Sequence, residues 1–552
     1  MTGYLQKLDD LAGIEAENLA VRWIERVIFF FLVLMTVSAP HSIAATQTAW
    51  LTGMFLWVIR LFLKPRPRLF RTPLDVALWA FFGWSVVTSV FSYNPAVSLD
   101  RLRGTALFLI FYFVIYNLKN IRAVRFLACA LLFSCMVNVV WVPVQRLLGR
   151  GVEIHGLAPN SPLSNIYLAD GTKTNLIDGD TLLTADKKKI YSPEDLVAEI
   201  ERNEITAVQF YRPDFDLVVT ARRVDLLPGS TAMERLGFTS WKRGHNWRSS
   251  GFYGHYATYA EVMQLIASLA LGLFIGALLR KGDAARGRHG DDVSPASPRP
   301  RVPASLILLL TVAGMSLALL LTVTRASQLA FLISAAAMVI TVGNRKLLLG
   351  TAAVILPVAV GGLIFLQQSR QVGFFDPSDD SIKYRMTMYR DGYRLWTESP
   401  RHFLLGVGMD SVQKYWREWG LYDGGKMAMG HFHSTLLQLL VERGLLALLL
   451  YLFMFWVYWR CLWRGLKGVK EESPPGPGLF GASGWMDRGI LLGCFGGAIG
   501  FFASSIVHYN FGDAEVVMVL FLLMGVSVRL TQLTGAQMTG ARMTGAQLTG
   551  GE

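Results

Sequence analysis

The sequence predicts an all-α polytopic membrane protein of about 12 transmembrane helices, with one small α/β domain inserted between them. Three observations carry this. Hydrophobic residues make up 52% of the 552-residue chain and charged residues 17%, against about 25% charged in an ordinary soluble protein. Apolar runs of about 20 residues, the length that crosses the hydrocarbon, recur along the chain. Two long polar segments, 149–255 and 367–433, interrupt those runs.

The runs place spans at 24–45, 47–63, 74–92, 103–118, 124–147, 256–279, 304–323, 326–343, 347–366, 434–459, 488–507 and 513–529. Basic clusters fall at alternate ends: Lys64 to Arg71, Lys119 with Arg122 and Arg125, the linker 280–301, Arg345-Lys346, and Arg460 with Arg464, Lys467 and Lys470. By the positive-inside rule both termini are cytoplasmic and both long polar segments face the other side. The net charge of +13 is accounted for by these loops, so no nucleic-acid partner is expected. Met1–Arg26 is polar and amphipathic, without the pattern of a cleavable signal peptide. The four cysteines, Cys129, Cys135, Cys461 and Cys494, lie in or beside apolar runs, which implies neither a disulfide framework nor a Cys metal site. The linker 281–303 and the Pro-rich Glu471–Gly478 read as disordered cytoplasmic loops.

These boundaries divide the chain into spans one to five (1–148), an insert (149–245), spans six to nine (246–366), a polar segment (367–433), spans ten to twelve (434–530) and a tail (531–552). The tail carries near-copies of a five-residue unit such as Met538-Thr-Gly-Ala-Arg542, too few to build a solenoid core, and is expected to be disordered.

Within the insert, Asp178-Gly179-Asp180 turns into the apolar Thr181-Leu182-Leu183. Ser192-Pro193-Glu194-Asp195 then opens a helix, with a capping serine, proline at the first position and acids against the dipole. Thr206–Arg212 and Leu217–Arg222 alternate as two strands of a hairpin around Pro213-Asp214. Over about 80 residues, from Asn160-Ser161-Pro162 to the closing strands, this order resembles a PDZ domain. Asp170–Thr174 forms an insertion in that pattern. The resemblance implies a docking module for a peptide or protein partner; a rigid spacer is the alternative.

The second polar segment ends in Gly430-His431-Phe432-His433-Ser434-Thr435, running into Leu436-Leu437-Gln438-Leu439-Leu440-Val441-Glu442-Arg443-Gly444. This places imidazoles at a membrane–water boundary, on the first turn of a spanning helix. A histidine titrates near neutral pH and suits general-base work. From His433 the pattern resembles the signature of the bacterial O-antigen ligase and polymerase superfamily, with Ser434 where that family has Asn and Glu442-x-Gly444 at the family spacing. Further matches come upstream in family order: Arg385-x-x-x-Tyr389, with Tyr in place of Trp, then Pro400 and Gly406-x-Gly408; Thr324-Arg325-Ala326-Ser327; and Ser250-Gly-Phe-Tyr-Gly-His255.

The resemblance implies an enzyme: a metal-independent, inverting glycosyltransferase at the periplasmic face of a bacterial inner membrane, requiring no cofactor. Its donor is a glycan on undecaprenyl pyrophosphate. Its acceptor is a sugar hydroxyl, foremost that of lipid A-core in O-antigen ligation. An O-antigen or exopolysaccharide polymerase and a protein O-oligosaccharyltransferase are alternatives of the same class; a polysaccharide transporter or flippase, and a membrane scaffold, belong to others. His433 is the expected catalytic base. Arg325 and Arg385 are expected to hold the pyrophosphate, since guanidinium grips phosphate bidentately and keeps its proton. His255, Arg248, His431, Tyr389, Gly406 and Gly408 are further substrate-binding candidates. On a helix, His431 would point away from His433. Glu442 would lie about 13 Å from His433 along it, too far to orient it directly. No cluster has metal-ligand spacing.

Overall fold

The computed structural model describes residues 2–164, 166–168, 173–212, 215–245, 247–286, 303–343, 361, 380–425, 430–468 and 484–549. Among them, six helices are long and apolar enough to cross a membrane: Ile121–Leu148, Tyr256–Leu279, Arg325–Val342, Thr435–Gly468, Gly484–Ser505 and Ala514–Gly535. Helices also occupy Leu19–Ser38, Ile43–Phe62, Asp75–Val90 and Ala304–Leu320, all at expected spans. This is a polytopic membrane protein. The expected span 347–366 apart from residue 361, most of the linker 281–303, residues 367–379, the Glu471–Gly478 loop and residues 170–172 of the insert lie outside the described residues.

Two expectations change. The span at 103–118 is broken into Pro95–Thr105, a 3-10 turn over Ala106–Phe108, and Leu109–Asn117. Asp100, Arg101 and Arg103 make the first piece polar, and the nine residues of the last, apolar up to Asn117, reach only about 13 Å, about half the hydrocarbon thickness. The tail is not disordered along most of its length, because the last helix runs from Ala514 to Thr549. Its Ala, Gln, Met and Leu favour helix, and the span before it supplies the costly nucleus, leaving only propagation.

The insert is an antiparallel sheet with a helix across it. Its strands are β1 (Arg150–Leu157), β2 (Ile166–Leu168), β3 (Lys173–Thr174), β4 (Thr181–Ala185), β5 (Lys188–Lys189), β6 (Ile205–Arg212), β7 (Phe215–Arg222) and β8 (Phe238–Gly244). They pair in the order β3-β2-β7-β6-β4-β1-β8, with β5 on β4. The expected hairpin is β6–β7, in register from Ile205 opposite Arg222 to Arg212 opposite Phe215. The expected helix is Pro193–Arg202, opened by a full capping box between Ser192 and Asp195. Its Leu196, Val197 and Ile200 close a core with Val152, Ile154, Leu182, Val208, Phe210 and Val219.

In the membrane body, glycines bring helices into backbone contact. A Cβ at Gly272 would overlap the Gly489 and Gly493 backbone, and one at Gly276 the Trp485 carbonyl. Small residues of this kind drive association where lipid and side chains are equally apolar.

The helix Thr435–Gly468 is bent at Gly444, which has φ +75° and ψ −179°. A break there withdraws the amides that carbonyls one turn earlier would accept. Those carbonyls find other donors: Val407 N–H donates to Val441 O and Gly408 N–H to Glu442 O, both at 2.8 Å, and Trp84 Nε1 donates to Arg443 O at 2.9 Å. The extended segment Gly406-Val407-Gly408 is thereby laid along the first turns of the spanning helix. Tyr93 N–H donates to Val407 O at 3.1 Å, tying the same segment to the end of the Asp75–Val90 helix.

Candidate active site

His433 does not lie on the first turn of the spanning helix. The helix begins at Thr435, and Ser434 precedes it as a cap, its hydroxyl accepting the Leu437 amide at 3.3 Å and its carbonyl the Gln438 amide at 2.9 Å. Serine and asparagine are both strong caps, so Ser434 fills this role where the family pattern has Asn. His433 itself adopts a left-handed backbone, φ +50°. That turn folds the loop back so that the His433 amide donates to Nδ1 of His431 at 3.2 Å, and the two rings meet edge to face with centroids 4.2 Å apart. The expectation that His431 points elsewhere assumed a helix at this position.

The base of the loop is fixed on both sides. Phe432 N–H donates to Gln438 Oε1 at 2.9 Å. Gln438 Nε2 donates to Glu442 Oε1, also at 2.9 Å, and Glu442 Oε1 accepts the Asp410 amide at 2.9 Å. Glu442 therefore acts on the loop through Gln438 and satisfies a neighbouring backbone group. On the other side, Thr435 N–H and Oγ1 donate to His508 O at 2.9 and 3.0 Å, and Thr435 Oγ1 reaches Asn510 Oδ1 at 2.9 Å.

Around the loop stand several of the expected residues. Arg385 and Tyr389 lie one turn apart on the helix Asp380–Thr397, and the Tyr389 hydroxyl donates to His433 O at 3.4 Å. His255, exposed at the start of the helix Tyr256–Arg286, packs on Tyr256 at 4.5 Å between centroids. The Arg248 guanidinium lies over that same Tyr256 ring at 4.5 Å. Next to it, Ser249 N–H donates to Leu321 O at 3.0 Å, which joins this loop to the turn carrying Arg325. Arg325 is the first residue of its helix, half-buried, just after Val323 in a left-handed conformation of φ +54°. A β-branched residue in that conformation is an outlier.

Burial drives the histidines neutral. His433 is pushed down to about 3, first by desolvation, then by His431, Arg385, His508 and His255. His431 is pushed down to about 4 by desolvation, then by His508 and His255. Both imidazoles are therefore uncharged at neutral pH, and the lone pair of His431 is the one that accepts the His433 amide. The same shifts make the fold sensitive to acid. In the unfolded chain these histidines take up protons below about 6.5, while the folded state resists until about 4 and 3. Stability from this pair is complete above pH 6.5 and falls as the pH drops toward the folded values. Thermal unfolding in detergent should show that decline between about pH 6.5 and 4, and His431→Gln/His433→Gln should flatten it. An equal decline in the double variant would remove these histidines as its cause.

Gly406 and Gly408, two of the expected substrate-binding candidates, are closely packed. Their amides donate to His402 O at 3.0 Å and Glu442 O at 2.8 Å. Cβ atoms there would overlap the Glu442–Arg443 backbone and the Ser92 side chain respectively. Two other residues near the loop were not anticipated. His508 presses on both His431 and His433 electrostatically and is bound through Nδ1 to Glu261 at 2.5 Å. The signals were faint: one acid inside the apolar run 256–279, and the polar Ser504-Ser505-x-x-His508-Tyr509-Asn510 between two spans.

Residues 310–452 match a family model described as O-antigen ligase. That segment contains Arg325, Arg385, Tyr389, Gly406, Gly408, His431 and His433 and excludes the insert, Arg248 and His255. No curated protein matches the chain. Over residues 310–452, with the two histidines and the Gly406–Gly408 segment inside it, the chain is similar to the O-antigen ligase family.

Proposed function

We propose that the protein transfers a glycan from undecaprenyl pyrophosphate to a sugar hydroxyl at the periplasmic face of a bacterial inner membrane, and that the acceptor is lipid A-core. The observation that carries this reading is the placement of neutral His433 beside the Arg385 guanidinium, at the mouth of a membrane helix inside the matched segment. The acceptor oxygen attacks the anomeric carbon as the carbon–oxygen bond to the phosphate breaks, inverting that carbon. The electron pair leaves on the pyrophosphate, held by Arg385 and Arg325 without need of a metal ion. The proton of the acceptor passes to His433, whose lone pair is free. Burial disfavours imidazolium at this position, and the negative charge of the pyrophosphate is what favours it during transfer. The insert, in this reading, docks a peptide or protein partner on the same face.

The test is complementation of a strain lacking its own O-antigen ligase, with lipopolysaccharide resolved on a gel. Wild type should restore the ladder, and His433→Ala at equal membrane abundance should weaken it by about 10²-fold or more, the worth of a general base. Activity only in a polymerase-deficient strain would move the function to polymerisation. A full ladder from His433→Ala would remove the base assignment.

A further inference from the structure

His508 differs from His431 and His433 in what holds it. Its Nδ1 faces Glu261 Oε1 at 2.5 Å, and both side chains are largely buried, 12% and 5% exposed. An Nδ1–H donated to a carboxylate leaves the Nε2 lone pair as the acceptor, the arrangement by which a carboxylate fixes the tautomer of a basic imidazole and stabilises its protonated form. His431 is the opposite tautomer, because its Nδ1 accepts the His433 amide.

The pair faces the reacting loop. His508 O holds Thr435, two residues past His433, and the ring of Tyr509 packs on that of His431 at 5.5 Å. The charged and titratable groups that interact with the pair are His431 and His433 on the loop, which are also acted on by His255 and, at His433, by Arg385, and Asp513, which feels Glu261 and is bonded to Glu515. Asp513 is raised by burial and by the Glu515 side chain bonded to it, and it accepts the Thr258 hydroxyl.

We propose that His508, positioned by Glu261, is where the proton released by transfer comes to rest. The inference rests on the glycosyl-transfer reading. One glycosidic bond forms and one carbon–oxygen bond to phosphate breaks, with the electron pair leaving on pyrophosphate. The proton taken by His433 moves on to Nε2 of His508, where the Glu261 carboxylate balances its charge, and it leaves later to the pyrophosphate product or to water. A neutral His433 is thereby restored for the next acceptor. Glu261 is a positioning residue in this scheme, acting through His508.

The test uses the full chain in proteoliposomes, with undecaprenyl-pyrophosphate-linked O-antigen as donor and lipid A-core as acceptor. Glu261→Gln keeps shape and removes charge; it should lower kcat by about 10²-fold with the donor KM unchanged, and His508→Gln should do the same. Glu261→Asp should recover a measurable part of kcat. Equal losses in Glu261→Asp and Glu261→Gln, or losses in KM and thermal stability alone, would make the pair structural and overturn the proposal. A second readout needs no substrate. In ¹⁵N-histidine-labelled protein, the wild type should show a carboxylate-bound imidazole N–H proton that His508→Gln abolishes and Glu261→Gln shifts strongly. If the wild type transfers nothing, the functional reading falls and the pair is judged on this signal; its absence, or its persistence unshifted in Glu261→Gln, overturns the proposal.

Discussion

Gly444→Ala will leave little folded protein in the membrane, whereas Gly83→Ala will leave it unchanged. Gly444 holds φ +75° and ψ −179°, a region open essentially to glycine alone. A Cβ there would overlap the Leu404 carbonyl, which belongs to a backbone that cannot retreat. That backbone ends the helix Pro400–Leu405 and leads directly into the segment whose amides satisfy Val441 O and Glu442 O. Strain and overpacking together amount to about 2–6 kcal/mol, a large share of the 5–15 kcal/mol typical of a folded protein. Relief by straightening the helix would strip Val407 and Gly408 of their acceptors and release the segment. Gly83 lies on the exposed side of the Asp75–Val90 helix with nothing within 4 Å of an added Cβ, so alanine there merely improves helix propensity. Membrane abundance and thermal unfolding of the two variants check this. A Gly444→Ala protein with wild-type abundance and melting would mean that the bend is not required.

The Glu-x-Gly and Gly-x-Gly patterns show where sequence reasoning reaches and where it stops. Their spacing is visible in the chain and carries the family resemblance that the match over 310–452 supports. Their purpose is not visible, because Gly406 and Glu442 are far apart in sequence and meet only through backbone atoms that no side-chain pattern encodes. Local chemistry is legible wherever the signal and the structure share a few residues. Ser192-Pro193-Glu194-Asp195 opens a helix as its residue types require, and most apolar runs are helices at the expected places. The break within 103–118 is missed because Asp100 and Arg101 lie just before the apolar run and a window average absorbs Arg103 at its first position. The geometry of the histidine loop is missed because a left-handed residue at 433 has no marker when it is not glycine or asparagine. Glu261 and His508 lie 247 residues apart, and only the packing of two helices brings them together.

Arg385→Lys and Arg385→Gln should both lose about 10²–10³ in kcat/KM, the worth of one fixed charge-stabilising group at a developing anion. Lysine keeps the charge but replaces a planar fork with a point charge, so it should recover little where both donor oxygens must be gripped. The two variants should diverge in a second property. The Arg385 guanidinium is one of the groups that hold the His433 pKa down. Arg385→Gln removes that positive charge and lets His433 rise toward its ordinary value, while Arg385→Lys retains it. The window over which acid removes stability runs from about 6.5 down to the folded value; raising the folded value shortens it. Arg385→Gln should therefore melt less steeply with falling pH than wild type, and Arg385→Lys should follow wild type. Transfer kinetics against donor concentration, with melting measured across the same pH range, separate the two roles. Unchanged donor KM and kcat in Arg385→Gln would take the guanidinium away from the pyrophosphate. An unchanged pH slope would take it away from His433.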